Sequence, residues 1–365
     1  MFQIVLNDLN FAQHSSAIGE FWMKRLIRLA ALALILALSL SAFGTLTAQE
    51  SRTVRIGYVP AMIYAPLYIA IERGYFAAEN ITVELTPLQG GSDSVVQLAA
   101  GNFDAAVGGV GAGLLNAASL GLEFRIVAPM HTERPPIASP LVISAKRVDE
   151  IKSVADLKGK TVSINAVGAA TEYWVYLALT KAGLTMNDIT LTAVAFRDVP
   201  LALESGAIDA AILGEPFATL QKDQGTVAVL ADDFVDGITV TYLYMGLPLL
   251  NGRPEVAEGF VRAYLRALRD LDDEGWLNEE TAAIIEKYTN VPASVVLRAN
   301  RPYYDPNGTI PLADLEELQR YFLERGVLEY TEPIDLAPFV DTSLVEKAIE
   351  VLGEYVPKPA ATPAN

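Results

Sequence analysis

The sequence predicts an α/β protein built as a two-lobed clamshell, each lobe a mostly parallel sheet flanked by helices. Three observations predict it. Strand-like and helix-like stretches alternate from Thr53 to Tyr244, the pattern of a parallel sheet. One stretch occurs twice: Thr53-Val54, Ile56, Ala70 and Ile81-Thr82 return as Thr161-Val162, Ile164, Ala178 and Ile189-Thr190, each 108 positions later. A second block follows in the same order, Leu98-Ala-Ala-Gly101-Asn-Phe-Asp104-Ala-Ala against Leu203-Glu-Ser-Gly206-Ala-Ile-Asp209-Ala-Ala, 105 positions on. A unit of this length is too long for a solenoid repeat and fits a duplicated lobe.

Composition narrows the class. A chain of 365 residues suggests about two domains, and 52% hydrophobic residues supply their cores. The net charge of −17 argues against binding to a nucleic-acid backbone, which needs clustered Lys and Arg. Cysteine is absent, so disulfides, thiolate metal sites, catalytic thiols and a lipid anchor on Cys are excluded. His14 and His131 are the two histidines, too few for a His-rich metal site. No cofactor and no metal are expected.

In chain order, residues 1–48 read as an extension plus a secretory signal, with Met23 as the expected start. Lys24, Arg25 and Arg28 form the basic region, Leu29–Phe43 the apolar run, and Leu46-Thr47-Ala48 a small-residue cleavage site. The run is shorter than the roughly 20 residues a span needs. Cleavage gives a free protein in the periplasm or on the outer face of the membrane; an uncleaved helix would tether it there. Lobe 1 is expected over 49–142. Thr53–Tyr58, Ile81–Thr86, Asp104–Gly108 and Arg125–Pro129 read as its strands, Leu67–Arg73 and Leu114–Leu120 as helices. Lobe 2 is expected over 143–243, entered through a strand at Leu141–Ala145. Its strands are Thr161–Asn165, Ile189–Ala193, Ala210–Leu213 and Val227–Leu230, and its first helix is Thr171–Ala182. Thr239–Tyr244 is a strand that carries the chain back. Residues 244–356 return to lobe 1 with C-terminal helices; Val256, Phe260, Tyr264, Leu268 and Leu271 mark an amphipathic face. Residues 357–365 read as a disordered tail. Hinges are expected at Ser139–Ala145 and Thr241–Leu247.

Ligands in such sheets bind beyond the carboxyl ends of the strands. Here those ends carry Tyr58–Tyr64, Gln89–Asp93, Gly108–Gly113, Asn165–Glu172 and Gly214–Phe217, the loops richest in Gly, Tyr and Pro.

Several of these loops resemble a known group. Gly57-Tyr58-Val59-Pro60, Ala65-Pro66-Leu67-Tyr68-Ile69-Ala70 and Arg73-Gly74-Tyr75-Phe76 resemble the opening of periplasmic solute-binding proteins of the nitrate/sulfonate/taurine and thiamine-pyrimidine group. Leu98–Ala106, Val154–Lys160 and Gly214-Glu215-Pro216-Phe217 resemble its later motifs, and the likeness runs from about Arg52 to Pro338. The resemblance implies a class II periplasmic binding fold that hands its ligand to an ABC permease and its ATPase, as a monomer. Members of the group bind riboflavin, aminopyrimidines, sulfonates, nitrate or aromatic acids. Enzymes also occur on the fold, among them a pyrimidine synthase and a chorismate-type dehydratase. The synthase resembles a Cys- and His-rich sequence that this chain lacks, and a secretory signal also argues for a binding protein.

The expected ligand contacts are Tyr58, Met62, Tyr64, Gly91, Ser92, Gly109, Val110, Asn165, Gly168, Thr171, Glu172, Tyr173 and Glu215. Ser92–Ser94, Gly109–Ala112 and Gly168–Thr171 read as helix N-termini, whose unpaired N–H groups hold anions or carbonyl oxygens. Each alone reads equally well as capping. Tyr58, Tyr64 and Tyr173 read as faces for stacking a flat ring, and Tyr68 and Trp174 as core. Glu172 and Glu215 would accept from ring N–H groups and repel a sulfonate or nitrate. Glu215 also reads as a structural cap beside Pro216, and His131 as a buried structural residue ahead of one lining the hinge side of the cleft. The balance favours a neutral or N–H-rich heterocycle, a pyrimidine or a flavin, over an anion.

Overall fold

A computed structural model describes residues 52–88, 94, 97–272 and 275–356. The signal segment and the tail lie outside the described residues. Among those described, no helix is long and apolar enough to cross a membrane.

Among the described residues, ten strands form two five-stranded sheets. The first takes β1 (Thr53–Tyr58), β2 (Thr82–Pro87), β3 (Ala105–Gly109), β4 (Phe124–Glu133) and β10 (Ile238–Gly246) in the order β2-β1-β3-β10-β4. The second takes β5 (Leu141–Ser144), β6 (Thr161–Ile164), β7 (Thr190–Ala193), β8 (Ala210–Ile212) and β9 (Val227–Ala231) in the order β7-β6-β8-β5-β9. Each sheet holds one antiparallel strand, in the fourth place: β10 pairs antiparallel with β3 and β4, and β5 with β8 and β9. In both sheets the odd strand lies at a crossing between lobes.

The sequence repeat therefore maps onto the lobes. Thr53 pairs with Thr82 in the first sheet, and Thr161 with Thr190 in the second. Gly101 and Gly206 follow helical turns with φ of 73° and 75°, a left-handed conformation that glycine adopts without a Cβ clash. The aspartate three residues later then pins the next strand to the first. Asp104 Oδ2 accepts from the Arg55 amide at 2.9 Å, and Asp209 Oδ2 from the Thr161 amide at 2.8 Å. The small residues after it, Ala105-Ala106 and Ala210-Ala211, are fully buried in central strands.

The domain boundaries shift from those expected. The chain leaves the first sheet at Glu133 and enters the second at Leu141; it returns between Ala231 and Ile238. The two crossings run side by side, Ile137 N donating to Asp232 O and Gly237 N to Glu133 O, both at 2.9 Å. Hinges at Ser139–Ala145 and Thr241–Leu247 thus fall late. The whole of β10 belongs to the first sheet, so lobe 2 ends before Ile238 and not at 243. The reason is that β10 is inserted between β3 and β4 and needs its full length to pair with both.

The C-terminal helices cover the first sheet. Pro254–Asp270 buries Val256, Phe260, Tyr264 and Leu268 against Ile56, Leu67 and Ala105, on the face its spacing marks. Helix Leu312–Glu324 lies beside β10: Asp314 accepts from the Thr239 amide at 2.8 Å, and Leu315, Leu318 and Phe322 join a cluster with Leu115 and Tyr242.

Candidate ligand-binding cleft

The carboxyl ends of β1, β3, β6 and β8 face one another across the seam between the sheets. They enclose a chamber of about 60 Å³. Lobe 1 contributes Val59, Ile63, Tyr64, Gly109, His131 and Thr241; lobe 2 contributes Asn165, Ala170, Thr171, Trp174, Phe196 and Gly214; Ser139 comes from a crossing segment.

The lobes meet backbone to backbone at the rim. Ala112 N donates to Gly168 O at 3.0 Å, and Met62 N to Glu215 O at 2.8 Å. A Cβ on Gly111 would lie 1.9 Å from Gly168 O, and one on Gly109 2.6 Å from the Ala170 Cβ. Only glycine allows this approach. The chamber so enclosed is well below the roughly 300 Å³ at which small-molecule pockets begin, so this is a shut conformation.

The polar groups in the chamber are neutral or already engaged. Thr171 Oγ1 donates to Asn165 Oδ1 at 2.6 Å, at the N-terminal turn of helix Thr171–Lys181. His131 is 2% exposed. Its Nδ1 is bonded to Thr241 Oγ1 and its Nε2 faces Glu133 Oε1 at 3.4 Å, so the imidazole offers the chamber its ring and not a free nitrogen. Glu133, fully buried, accepts from the Ala138 amide through its other oxygen at 2.7 Å. No Lys or Arg lines the chamber among the described residues, and no group of side chains there is arranged to hold a metal ion.

Of the residues expected from sequence, Tyr64, Gly109, Asn165 and Thr171 line the chamber. Gly91 and Ser92 lie outside the described residues. Gly168 sits at the rim as the lobe-to-lobe acceptor, and Met62 is fully buried there, its carbonyl accepting from Tyr304 OH at 3.0 Å. The others are corrections. Tyr58 stands behind the wall, edge-on to Tyr64 and Tyr68 at 6.2 and 5.8 Å between ring centres. Val110 turns into the lobe 1 core beside Leu114 and Leu115. Glu172 follows Thr171 by about 100° around the helix. It therefore points away from the chamber, to Arg325 Nε at 2.9 Å and Tyr321 OH at 3.1 Å on the C-terminal side of lobe 1. Tyr173 goes the same way and donates to Glu317 Oε1 at 3.0 Å. Glu215 is closed by its own helix: its carboxylate accepts from Thr219 N at 3.0 Å, Thr219 Oγ1 at 2.9 Å and Asn300 N at 3.3 Å. Burial pushes its carboxyl up even so. The capping role is the one this geometry supports.

Trp174, Phe196, Ser139 and Thr241 were not among the expected contacts; for His131 the hinge side of the cleft was the second reading, after a buried structural role. Trp174 was readable: it lies three and four residues beyond Thr171 and Ala170, hence on their face of the helix. Phe196 follows the end of β7 by three residues, in the zone where ligands are expected. Ser139 and Thr241 depend on where the crossings run, which no local pattern gives.

Two opposed, mostly parallel sheets joined by paired crossings, with a chamber at their strand ends, define the periplasmic-binding-protein class of fold. Residues 47–286 match the NMT1-like family, and the chain belongs to that family. It is 29% identical over 224 residues to the riboflavin-binding protein RibY of Chloroflexus aurantiacus, covering 60% of this chain and 61% of that one, less than two thirds of the relative's length. It is 26% identical over 278 residues to an Escherichia coli K12 protein named for binding aliphatic sulfonates, covering 75% and 82%. The structure of the alkanesulfonate-binding protein SsuA from Xanthomonas axonopodis pv. citri superposes with a TM-score of 0.65 at 18% identity, covering 80% of this chain and 98% of that one.

Proposed function

We propose that the protein is the solute-binding component of an ABC importer, acting outside the cytoplasmic membrane and without catalysis, and that it captures a flat, N–H-bearing heterocycle of the pyrimidine or flavin kind. The observation that carries this reading is the lining of the chamber. Tyr64, Trp174 and Phe196 supply rings for stacking, Asn165, Ser139, Thr171 and Thr241 supply amide and hydroxyl groups, and no Lys or Arg among the described residues balances a strong anion. The riboflavin-binding relative supports the same class. The carboxylates first expected to read ring N–H groups have other partners, so Asn165 and the hydroxyls take that role.

Capture works by closure. In an open state the lobes part at Gly109–Ala112 and admit the ring; contacts from both lobes then favour the shut state, which presents both lobes to the permease. A thermal-shift panel on the Gln49–Asn365 protein tests the ligand class. Riboflavin, aminopyrimidines and thiamine form one arm; taurine, alkanesulfonates and nitrate form the other. A ligand at about 100 times its Kd stabilises by about 2.7 kcal/mol. Stabilisation by the ring compounds is the expected result. Stabilisation by the anions alone would mean that the N-terminus of helix Thr171–Lys181 governs binding, and the heterocycle reading would fall.

A further inference from the structure

The chamber has a second compartment outside it. A vestibule of about 310 Å³ opens between the lobes and shares two walls with the chamber, Val59 and Phe196. Its other walls are apolar: Pro60, Pro87 and Leu88 from lobe 1, and Ala195 and Phe217 from lobe 2. Among its described lining residues one cation stands, Arg197. The Arg197 side chain is 71% exposed and makes a loose ion pair with its neighbour Asp198, 3.6 Å from Nε.

Phe196 is the partition. It follows the end of β7, and its ring is laid over the backbone of Gly214, close enough that a Cβ there would meet it at 3.1 Å. It is half-buried, packs on the lobe 2 cluster around Val199 and Leu203, and lines both compartments, so a change of its side-chain rotamer would join them. The inner space is lined by rings and neutral polar groups. The outer one is apolar and ends at a guanidinium. A single ligand that fills both must be a flat ring carrying a side chain, with a negative group at the far end of that chain.

We propose that Phe196 is a gate between chamber and vestibule, and that Arg197 selects ligands whose side chain ends in an anionic group such as a phosphate or carboxylate. The proposal rests on the heterocycle reading above and adds to it the shape and charge of the substituent. The ring sits inside, against Tyr64 and Trp174; the side chain passes Phe196 and lies along Leu88 and Phe217; its anionic end meets Arg197.

Three flavin probes test it: lumichrome, which is the ring alone; riboflavin, which adds a neutral side chain; and flavin mononucleotide, which adds the phosphate. Dissociation constants are measured for each with the wild type, Arg197→Gln and Phe196→Ala, at low and high salt. The wild type is expected to bind flavin mononucleotide most tightly and lumichrome least. Arg197→Gln should weaken flavin mononucleotide about two- to fivefold, to the level of riboflavin, and leave the other two unchanged. High salt should do the same to the wild type. Phe196→Ala should speed release of all three, by about tenfold, because an aromatic wall is lost. Arg197 is largely exposed, so Arg197→Gln leaves the fold intact. If the flavins bind but riboflavin and flavin mononucleotide bind equally, or Arg197→Gln weakens all three alike, this inference fails and the heterocycle reading stands. If none of the three binds while an aminopyrimidine or thiamine does, this inference fails and the heterocycle reading stands; if only the anions of the thermal panel bind, both fail.

Discussion

The two lobes share a sheet order and an aspartate pin, and they differ in what surrounds them. In lobe 1, Asp104 is held by Arg55 and by Arg253, the second reaching in from the C-terminal part of the chain. In lobe 2, Arg147 is the one guanidinium paired with Asp209 among the described residues. Lobe 1 has a core rich in large rings, among them Tyr58, Tyr64, Tyr68, Tyr264 and Tyr304, closed by helix Pro254–Asp270. The far face of lobe 2 is a small aliphatic cluster around Val142, Val199, Leu203 and Ile208. The difference follows from the chain's path. It returns to lobe 1 through β10 and spends its last third there, so one copy of a duplicated unit became the frame and the other remained lean. Lobe 2 is then placed by the crossings, the glycine seam at the rim, the outer face of helix Thr171–Lys181, and the contacts of Glu215 and Asp223 with Asn300 and Arg298.

The largest effect should come from breaking the glycine seam on the side of the frame. Gly111 has φ −119° and ψ −174°, extended backbone open to any residue, so Gly111→Ala costs little within lobe 1. Its Cβ would nevertheless meet Gly168 O at 1.9 Å, and a carbonyl fixed in the backbone cannot swing aside. Forcing such contacts costs about 3 kcal/mol in the shut state, about a hundredfold in affinity for any ligand that needs closure. Scattering should show a protein that stays expanded with ligand present. The partner residue sharpens the contrast: Gly168 has φ +67°, so Gly168→Ala strains lobe 2 whether shut or open, and lowers melting temperature as well as affinity. Wild-type binding by Gly111→Ala would show that the lobes do not meet here when liganded.

The aspartate pins should separate the lobes next. Burial opposes ionisation of Asp104, yet hydrogen bonds from Arg55 and the charge of Arg253 outweigh it and hold its carboxyl below the usual range. Asp209 is shifted the same way, burial again opposing and the Thr161 amide and Arg147 prevailing. Asp104→Ala should cost about 2–3 kcal/mol and Asp209→Ala about 1–2 kcal/mol, because the first leaves two guanidiniums without their carboxylate. For a depressed carboxyl, the stabilisation is present above the unfolded value of about 3.9 and is lost as pH falls through the folded value. Both variants should therefore lose part of the wild type's acid sensitivity below about pH 4. Glu215 has the opposite sign: its raised carboxyl favours the fold below the unfolded value, and that contribution is lost as pH rises through the folded one. Equal costs for the two alanine variants, from urea unfolding at neutral pH, would mean that Arg253 adds nothing to the frame.

The lobes themselves were legible because a two-fold copy writes the same constraints twice. Gly101 and Gly206 need a left-handed turn, Asp104 and Asp209 need an amide, and the strands behind them need small buried residues; each is a local demand that sequence must meet. The strand ends followed from the same alternation, and so did the loops that border the cleft. What failed was direction. Thr171, Glu172 and Tyr173 are neighbours in sequence, but a helix turns each by about 100°, and only Thr171 faces the chamber. Glu215 was readable as a ligand contact or a cap, and the choice rests on Thr219 and Asn300, the latter 85 positions away. The crossings were displaced because β10 answers to partners in β3 and β4, not to its own pattern.

The smallest expected effect concerns the outer contact that joins lean lobe to frame. Glu172 is buried and meets Arg325 Nε at 2.9 Å and Tyr321 OH at 3.1 Å, while the Tyr173 ring packs on Tyr321 at 5.1 Å between centres. Helix Leu312–Glu324 is tied to β10 of the frame through Asp314, so these bonds join the two lobes in the shut conformation. Such a latch favours closure independently of ligand. Arg325 is partly exposed and its charge is screened, so Arg325→Met should weaken the shut state by about 1 kcal/mol, roughly fivefold in the ratio of shut to open. Glu172→Gln should do slightly more, since it leaves Arg325 and Tyr321 facing an amide. A double-mutant cycle read from ligand affinity should return a coupling of about 1 kcal/mol, against the small deviations found for independent sites. Additive effects would mean that the pair merely caps the helix on lobe 2. A measured coupling would assign the last third of the chain a second task, setting how readily the lobe it does not belong to swings in.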